Sequence, residues 1–356
     1  MIIRAQAPGK IILSGEHSVV YGAPAIVAAV SEYTQISFTP HHHSHSINTA
    51  FQGISKGKPY PLKALKTLKS KLDQRFEQFI RGERPVNHIL HRPDDLAIYT
   101  LATLLQHLPA LGTNQHRPTA GRLNSHSTLP LGAGMGSSAA AIAATLVLYE
   151  HMLNLPLTPK QRFEHVRFCE RLQHGKGSTI DATASVYGGL HSLHNQQPTP
   201  INTPLTQHWY WVLHGIPQSS TGECVHHVRK HHSHDTPLWQ AFTDCSQNLL
   251  NALEKQSDPQ ESLRENHQLL NRIGVVPQSA NHFLDSLNTH GGSGKLSGAG
   301  SIRGEQAGIL LIYHPDAQQF THFMQHHHPT LPYKPLKLTF NGAHILPHPS
   351  APPQQP

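Results

Sequence analysis

The sequence predicts a chain of mixed helix and strand in two halves, and three observations predict it. Apolar runs at residues 2–7, 10–13 and 25–30, with rough alternation at 34–38, give the opening a strand character. Between residues 62 and 80, Leu62, Leu65, Leu68, Leu72, Phe76, Phe79 and Ile80 recur every three or four positions with lysines between them, the spacing of an amphipathic helix. Strand-like runs return at 208–214 and 307–313, after a proline-bounded connection at 198–204.

The remaining elements follow in order. Pro8-Gly9 ends the first strand, and Gly15 breaks the second run. Residues 41–60 are polar and turn-rich and read as a loop. Asp94-Asp95 can cap a helix running through Leu108. A short strand at 123–129 leads into a glycine-rich turn and an alanine-rich helix at 136–153. Further helices are expected at 158–173, 221–231, 238–254 and 259–273. Residues 348–356 are rich in Pro and Gln and read as disordered.

Composition narrows the function classes. With 356 residues, 37% of them hydrophobic, the chain can build two domains. The start lacks the apolar core and cleavage site of a secretory signal. Its longest apolar stretch, 139–149, is shorter than the about 20 residues that cross a bilayer, so no membrane partner is expected. Three scattered cysteines, Cys169, Cys224 and Cys245, point to a reducing, cytoplasmic setting. A formal charge of +7 suits an anionic ligand, but no dense Lys/Arg stripe with interleaved aromatics argues for nucleic acid. The 32 histidines include 41–43, 231–232 and 326–328; they lack Cys or carboxylate partners and helical spacing, and read as solvated loops.

The strongest local signal is Leu129-Pro130-Leu131-Gly132-Ala133-Gly134-Met135-Gly136-Ser137-Ser138-Ala139-Ala140. Alternate glycines let backbone approach a ligand without a Cβ in the way. The helix that follows aims unpaired N–H groups and a positive dipole end at the turn, which suits a phosphate. Ser137 and Ser138 can cap that helix, or reach a bound metal ion. A P-loop is excluded, because Leu296 follows Lys295 and Gly177 follows Lys176, and a Rossmann fingerprint would need Gly in place of Ser137. The bland reading is a strand-to-helix turn whose glycines only permit tight packing.

Two further segments bear on the choice. The stretch Ala7-Pro8-Gly9-Lys10-Ile11-Ile12-Leu13-Ser14-Gly15-Glu16-His17-Ser18-Val19-Val20-Tyr21-Gly22 resembles the opening motif of the GHMP kinases, and the glycine-rich turn resembles their second motif. Glu170-Arg171-Leu172-Gln173-His174-Gly175-Lys176-Gly177-Ser178-Thr179-Ile180-Asp181 resembles a segment of the mevalonate-phosphorylating branch of that family, as does the Gly15–Gly22 form. Lys295-Leu296-Ser297-Gly298-Ala299-Gly300 resembles the third motif, but Ser301, Ile302 and Arg303 stand where the family continues with glycines and usually a Cys. Side chains there are expected to narrow the turn.

The resemblance implies an α+β fold of two domains. Residues 1–197 would form a nucleotide-binding domain like ribosomal protein S5 domain 2, 205–345 a ferredoxin-like α+β domain, and 346–356 a tail. It implies transfer of the γ-phosphoryl group of ATP to an alcohol, mevalonate, with Mg²⁺, and it admits a homodimer. By the same resemblance Pro130, Leu131, Gly132, Ala133, Gly134, Met135, Gly136, Ser137 and Ser138 hold ATP. Ser138 and Glu170 hold Mg²⁺, donors hard enough for that ion. Asp181 takes or orients the proton of the attacking hydroxyl, and Lys10 lies beside it, keeping the acid ionised and neutralising transferring charge. Glu16, His17, Thr221, Gly298 and Ala299 would face the acceptor, though Thr221 reads equally as a plain N-cap. Two alternatives stay open: another GHMP member, such as a phosphomevalonate kinase or a kinase for a different mevalonate hydroxyl, and a catalytically silent ligand-binding relative. The phrase Ala184-Ser185-Val186-Tyr187-Gly188-Gly189 leans to the first.

Overall fold

The computed structural model describes residues 2–51, 55, 57–107 and 118–347. The chain opens with two long strands, β1 (Ile3–Ser14) and β2 (Ala25–Pro40), paired antiparallel along most of their length. The break expected at Pro8-Gly9 is a register shift inside one strand: a bulge absorbs the missing proline N–H while pairing resumes at Gly9. β3 (Ser46–Phe51) and β4 (Pro59–Pro61) lie in the stretch read as a loop. Only Ile47, Thr49 and Phe51 of β3 are buried, so its alternation is too short to stand out from polar neighbours.

Three turns of 3₁₀ helix punctuate this half, at Ser18–Tyr21, Leu62–Ala64 and Val86–His88. The lysine-rich amphipathic segment forms α1 (Leu65–Ile80), which turns Leu65, Leu72 and Phe76 inward. α2 (Asp95–His107) follows, and the expected extension to Leu108 lies outside the described residues. Asp94 does not act as a free cap: its Oδ2 accepts the hydroxyls of Thr49, at 2.6 Å, and Ser55. After β5 (Gly121–Ser127) comes α3 (Ser137–Met152), apolar all round because it is enclosed, with β1 and β2 on one side and α2, α4 (Pro159–His174) and α5 (Thr179–Tyr187) on the others. β6 (Leu190–His194) and β7 (Gln197–Pro200) form a hairpin beside β2, so the proline-bounded stretch begins as strand.

The second half contributes β8 (Trp209–Leu213), α6 (Thr221–His232), α7 (Thr236–Glu254), α8 (Gln260–Arg272), α9 (Gln278–Thr289), β9 (Ser293–Ser297), β10 (Ile309–Tyr313), α10 (Ala317–His327), β11 (Tyr333–Pro335) and β12 (His344–Ile345). Two sheets result. The first runs β12-β1-β2-β5-β3-β4 with β6 and β7 attached through β2, and the second runs β11-β8-β10-β9. The fold is α+β. β12 carries the chain end back to β1, pairing Ala5 with Ile345. One core surrounds α3, and another packs helices α6 to α10 on the second sheet around Phe242, Phe283, Leu284 and Phe320. The tail at 348–356 lies outside the described residues.

The histidines depart from the loop reading. His227 and His231 pack with tilted rings on α6, centroids 4.5 Å apart, and His322 and His326 do so on α10 at 4.0 Å. Each pair is four residues apart on a helix, a spacing hidden because the eye catches the adjacent triplets instead. Among the described residues no group of three or more His, Cys, Asp or Glu is placed to hold a metal ion.

Candidate active site

The site is assembled on β1. The backbone N–H of Lys10 donates to the Met135 carbonyl at 2.9 Å, fastening the glycine-rich turn to the strand. At Gly9 a Cβ would meet Leu129 Cδ2 at 2.2 Å, so that approach requires glycine. Within the turn Ala133 and Met135 are buried, while Leu131, Gly132 and Gly134 face solvent and Pro130 is half-buried. Backbone is therefore presented outward and the apolar side chains anchor it from beneath.

Gly136 ends the turn at φ 72° and is itself the N-cap of α3. No side chain caps the helix, which corrects the expected capping by Ser137 or Ser138. The left-handed glycine makes the turn, and Ser138 is drawn away, its hydroxyl donating to Gln173 Oε1 at 2.6 Å. First-turn N–H groups are thus left without a side-chain partner at an exposed helix start, the arrangement that favours an anion.

A Cβ on Gly136 would lie 2.8 Å from Asp181 Oδ1 and 3.0 Å from Lys10 Cγ. The helix start is therefore packed against the Lys10 stem and the Asp181 carboxylate. Lys10 Nζ stands 3.6 Å from Asp181 Oδ1, with side-chain exposures of 6% and 20%. Asp181 sits in the first turn of α5, where the helix dipole favours a carboxylate, and its N–H donates to the capping Ser178 hydroxyl at 3.1 Å. Ser178 also donates its own N–H to Glu170 Oε2 at 2.9 Å. One residue thus positions both acids. Burial, and next the charge of Asp181, push the Glu170 carboxyl well above the usual range, against the pull of the Ser178 N–H and Lys10.

The opposite wall joins the two halves of the chain. Lys295, fully buried on β9, forms an ion pair with buried Glu16 and donates to the Ile12 carbonyl at 3.3 Å. The Ile12 N–H in turn donates to the Ser297 hydroxyl at 2.9 Å. His17, at φ 59°, donates from Nε2 to the Ala299 carbonyl at 3.0 Å. Burial lowers this imidazole to about 4 and keeps it neutral. A Cβ on Gly134 would lie 3.5 Å from the Ser297 carbonyl, and one on Gly298 3.7 Å from that of Gly134, so the two glycine turns abut.

The turn after Gly300 is rebuilt rather than narrowed. Ser301 accepts the Ser219 N–H at 3.2 Å and donates to the Arg303 carbonyl at 2.6 Å, while the Ile302 N–H donates to the Ser219 hydroxyl at 3.1 Å. Arg303 reaches Glu223 at 2.5 Å. These side chains brace the start of α6 instead of filling the turn. The cap of α6 is Ser220, in a reciprocal capping box with Glu223, so Thr221 is not an N-cap but an exposed residue in the first turn.

Sequence reasoning brought Lys10, Gly136, Glu170 and Asp181 to one place; it assigned His17 and Ala299 to the acceptor without foreseeing the hydrogen bond between them. It missed Lys295, Ser178, Gln173 and Ser297 as working parts. The motif containing Lys295 was visible, but a lysine in a strand carries no mark of the distant acid it meets.

Residues 96–189 match the profile described as the GHMP kinases N terminal domain. The chain is similar to the GHMP kinases over that segment. It is 27% identical over 320 residues to the mevalonate kinase of Pyrococcus abyssi, an alignment covering 84% of this chain and 86% of that one. Among solved structures, a mevalonate kinase superposes with a TM-score of 0.74 at 20% identity, covering 95% of this chain and 99% of that chain. The L. major mevalonate kinase in complex with R-mevalonate superposes with a TM-score of 0.66 at 22% identity, covering 94% and 96%. In this two-sheet architecture the end of the glycine turn, Lys10 and Asp181 lie side by side.

Proposed function

We propose that the chain transfers the γ-phosphoryl group of ATP to the hydroxyl of mevalonate, giving 5-phosphomevalonate. The observation that carries this reading is the contact of Lys10 and Asp181 with Gly136 at the uncapped start of α3. The names of the relatives supply the acceptor.

Phosphoryl transfer asks mainly for placement and charge neutralisation. The backbone of 132–138 and the start of α3 hold the phosphates through N–H groups, and exposed Leu131 and Ile216 beside Gly132 offer apolar surface for the base. Asp181 accepts or orients the proton of the attacking hydroxyl, and Lys10, 3.6 Å from it, draws charge from the transferring group. Glu170 would hold Mg²⁺, a buried carboxylate close enough to Asp181 to feel its charge, and Ser138 would join it by turning its hydroxyl from Gln173. When bound, that ion neutralises phosphate charge. Glu16 and His17 are occupied by Lys295 and Ala299, and their part is to shape the acceptor's end of the cleft together with Gly298 and the Thr221 segment. The three cysteines are free and buried, which suits a reducing, cytoplasmic setting.

A coupled ADP-release assay with mevalonate, phosphomevalonate, galactose and homoserine tests the reading. Turnover with mevalonate is expected; turnover with phosphomevalonate alone would move the acceptor, and silence with all four would favour a binding module. In Asp181→Asn, kcat should fall about 10²- to 10⁴-fold while ATP affinity stays within a fewfold. Lost ATP binding with turnover retained in the residual complex would overturn the role of Asp181.

A further inference from the structure

The run His326-His327-His328 stands out in the sequence, but the fold sends its three side chains to different partners. His328 packs its ring 4.6 Å from that of Phe283, and His327 lies 4.8 Å from His290 and 5.4 Å from Phe323. His326 instead meets His322, four residues earlier on α10, with ring centroids 4.0 Å apart. Both are exposed, and among the described residues neither ring makes a hydrogen bond. Gln318, also exposed and four residues before His322, continues the same ridge. α10 reads Ala-Gln-Gln-Phe-Thr-His-Phe-Met-Gln-His-His and holds no Lys or Arg, so the helix itself carries no fixed cation beside the pair.

From this juxtaposition we infer that His322 and His326 form a two-imidazole site for a divalent transition-metal ion, with Cu²⁺ bound most tightly. Residues four apart face the same way on a helix, the spacing by which two histidines share one ion. Neutral imidazole is a ligand for Cu²⁺, Ni²⁺ and Zn²⁺, and Cu²⁺ heads their order of affinity. Rings this close can each turn a nitrogen onto an ion at roughly 2.0–2.1 Å. His326 lies in the last turn, where the carbonyl end of the helix favours a cation. Water completes the shell, with Gln318 at hand to offer an oxygen. Mg²⁺, which prefers oxygen ligands, gains nothing from the pair.

The similar pair on α6 is a poorer site. His227 is half-buried, His231 Nδ1 donates to the His227 carbonyl at 2.9 Å, and Arg229 and Lys230 share the last turn with His231. The α10 site is also distinct from the cluster at Gly136. α10 buries Phe320, Phe323 and Met324 in the core of the second sheet, and none of its residues belongs to that cluster.

Calorimetric titration of the full, untagged chain with Cu²⁺ at pH 7.5, beside residue-by-residue carbethoxylation with diethyl pyrocarbonate, tests the inference. At one equivalent of Cu²⁺, His322 and His326 should be protected while His41, His42 and His43 stay reactive. Ni²⁺ should bind more weakly than Cu²⁺, and excess Mg²⁺ should not compete. His322→Gln and His326→Gln should each weaken binding about tenfold or more, and the double variant little further, since either loss breaks the chelate. Thr321→His with His322→Thr keeps the number of histidines but sets the pair five residues apart, and should bind as weakly as the single variants. Hydrogen exchange at residues 322–327 should slow with Cu²⁺ in the unsubstituted chain and not in the respaced one. Protection falling first on His227 and His231 or on His290 and His327, a respaced variant that binds as tightly, or displacement by Mg²⁺ would each overturn the assignment. None of these readouts requires turnover, so the result stands apart from the assay of the proposed reaction.

Discussion

Replacing Lys295 by Met should destabilise the protein by about 3–5 kcal/mol, because it leaves the buried Glu16 carboxyl without its ion-pair partner. Lys295 is 0% and Glu16 2% exposed, and Glu16 Oε2 already has no hydrogen-bond partner. Burial alone raises the Glu16 carboxyl, and its pair with Lys295 is the largest influence holding it down. Without that amine the acid is forced to take up a proton on folding. A carboxyl raised in the folded state costs stability above its folded value and regains it as the pH falls toward the unfolded value near ~4.5. The deficit of Lys295→Met relative to the unsubstituted chain should therefore be larger at pH 8 than at pH 5.5. The double variant Lys295→Met with Glu16→Leu removes both charges and should recover to within about 1 kcal/mol of the starting protein. Urea unfolding of these two variants, of Glu16→Leu alone and of the unsubstituted chain, followed by far-UV circular dichroism at both pH values, measures the cycle. A single variant costing under about 1 kcal/mol, or a double variant no better than the single, would refute the reasoning.

Gly136→Ala should cut turnover at least tenfold and cost about 1–2 kcal/mol, since φ is 72° and the new Cβ would press on Asp181 and Lys10; kinetics and thermal unfolding of the purified variant check both. His17 and His267 are both held at about 4 by burial, below the unfolded value near ~6.5, so each binds its proton more weakly when folded. Stability should be flat above pH 7 and fall between pH 6.5 and 4, by about 2 kcal/mol per histidine at pH 5. Unfolding midpoints across that range, compared with His267→Gln, should show the slope reduced in the variant; an unchanged slope would show that His267 stays ionisable when folded.

Much of the active site was legible because its parts are local. The alternating glycines of 132–136, the uninterrupted alanine helix behind them and the short spacing from Glu170 to Asp181 each express a constraint between near neighbours in the chain. Lys10 was readable for the same reason, lying in a compact segment of fixed pattern. The amphipathic α1 declared itself through its period, and so did the ends of α4, where Thr158 supplies the capping box.

What the sequence by itself determined was the chemistry available and the order in which the turns and helices deliver it. Tertiary structure alone decided which distant groups meet: Lys295 with Glu16, Ser301 and Ile302 with Ser219, and β12 with β1. It also decided that a bulge carries β1 through Pro8 and that a polar stretch yields β3. The physical reason is that pairing across a sheet and burial of a charge depend on partners tens to hundreds of residues away, and no local pattern records the address of a partner.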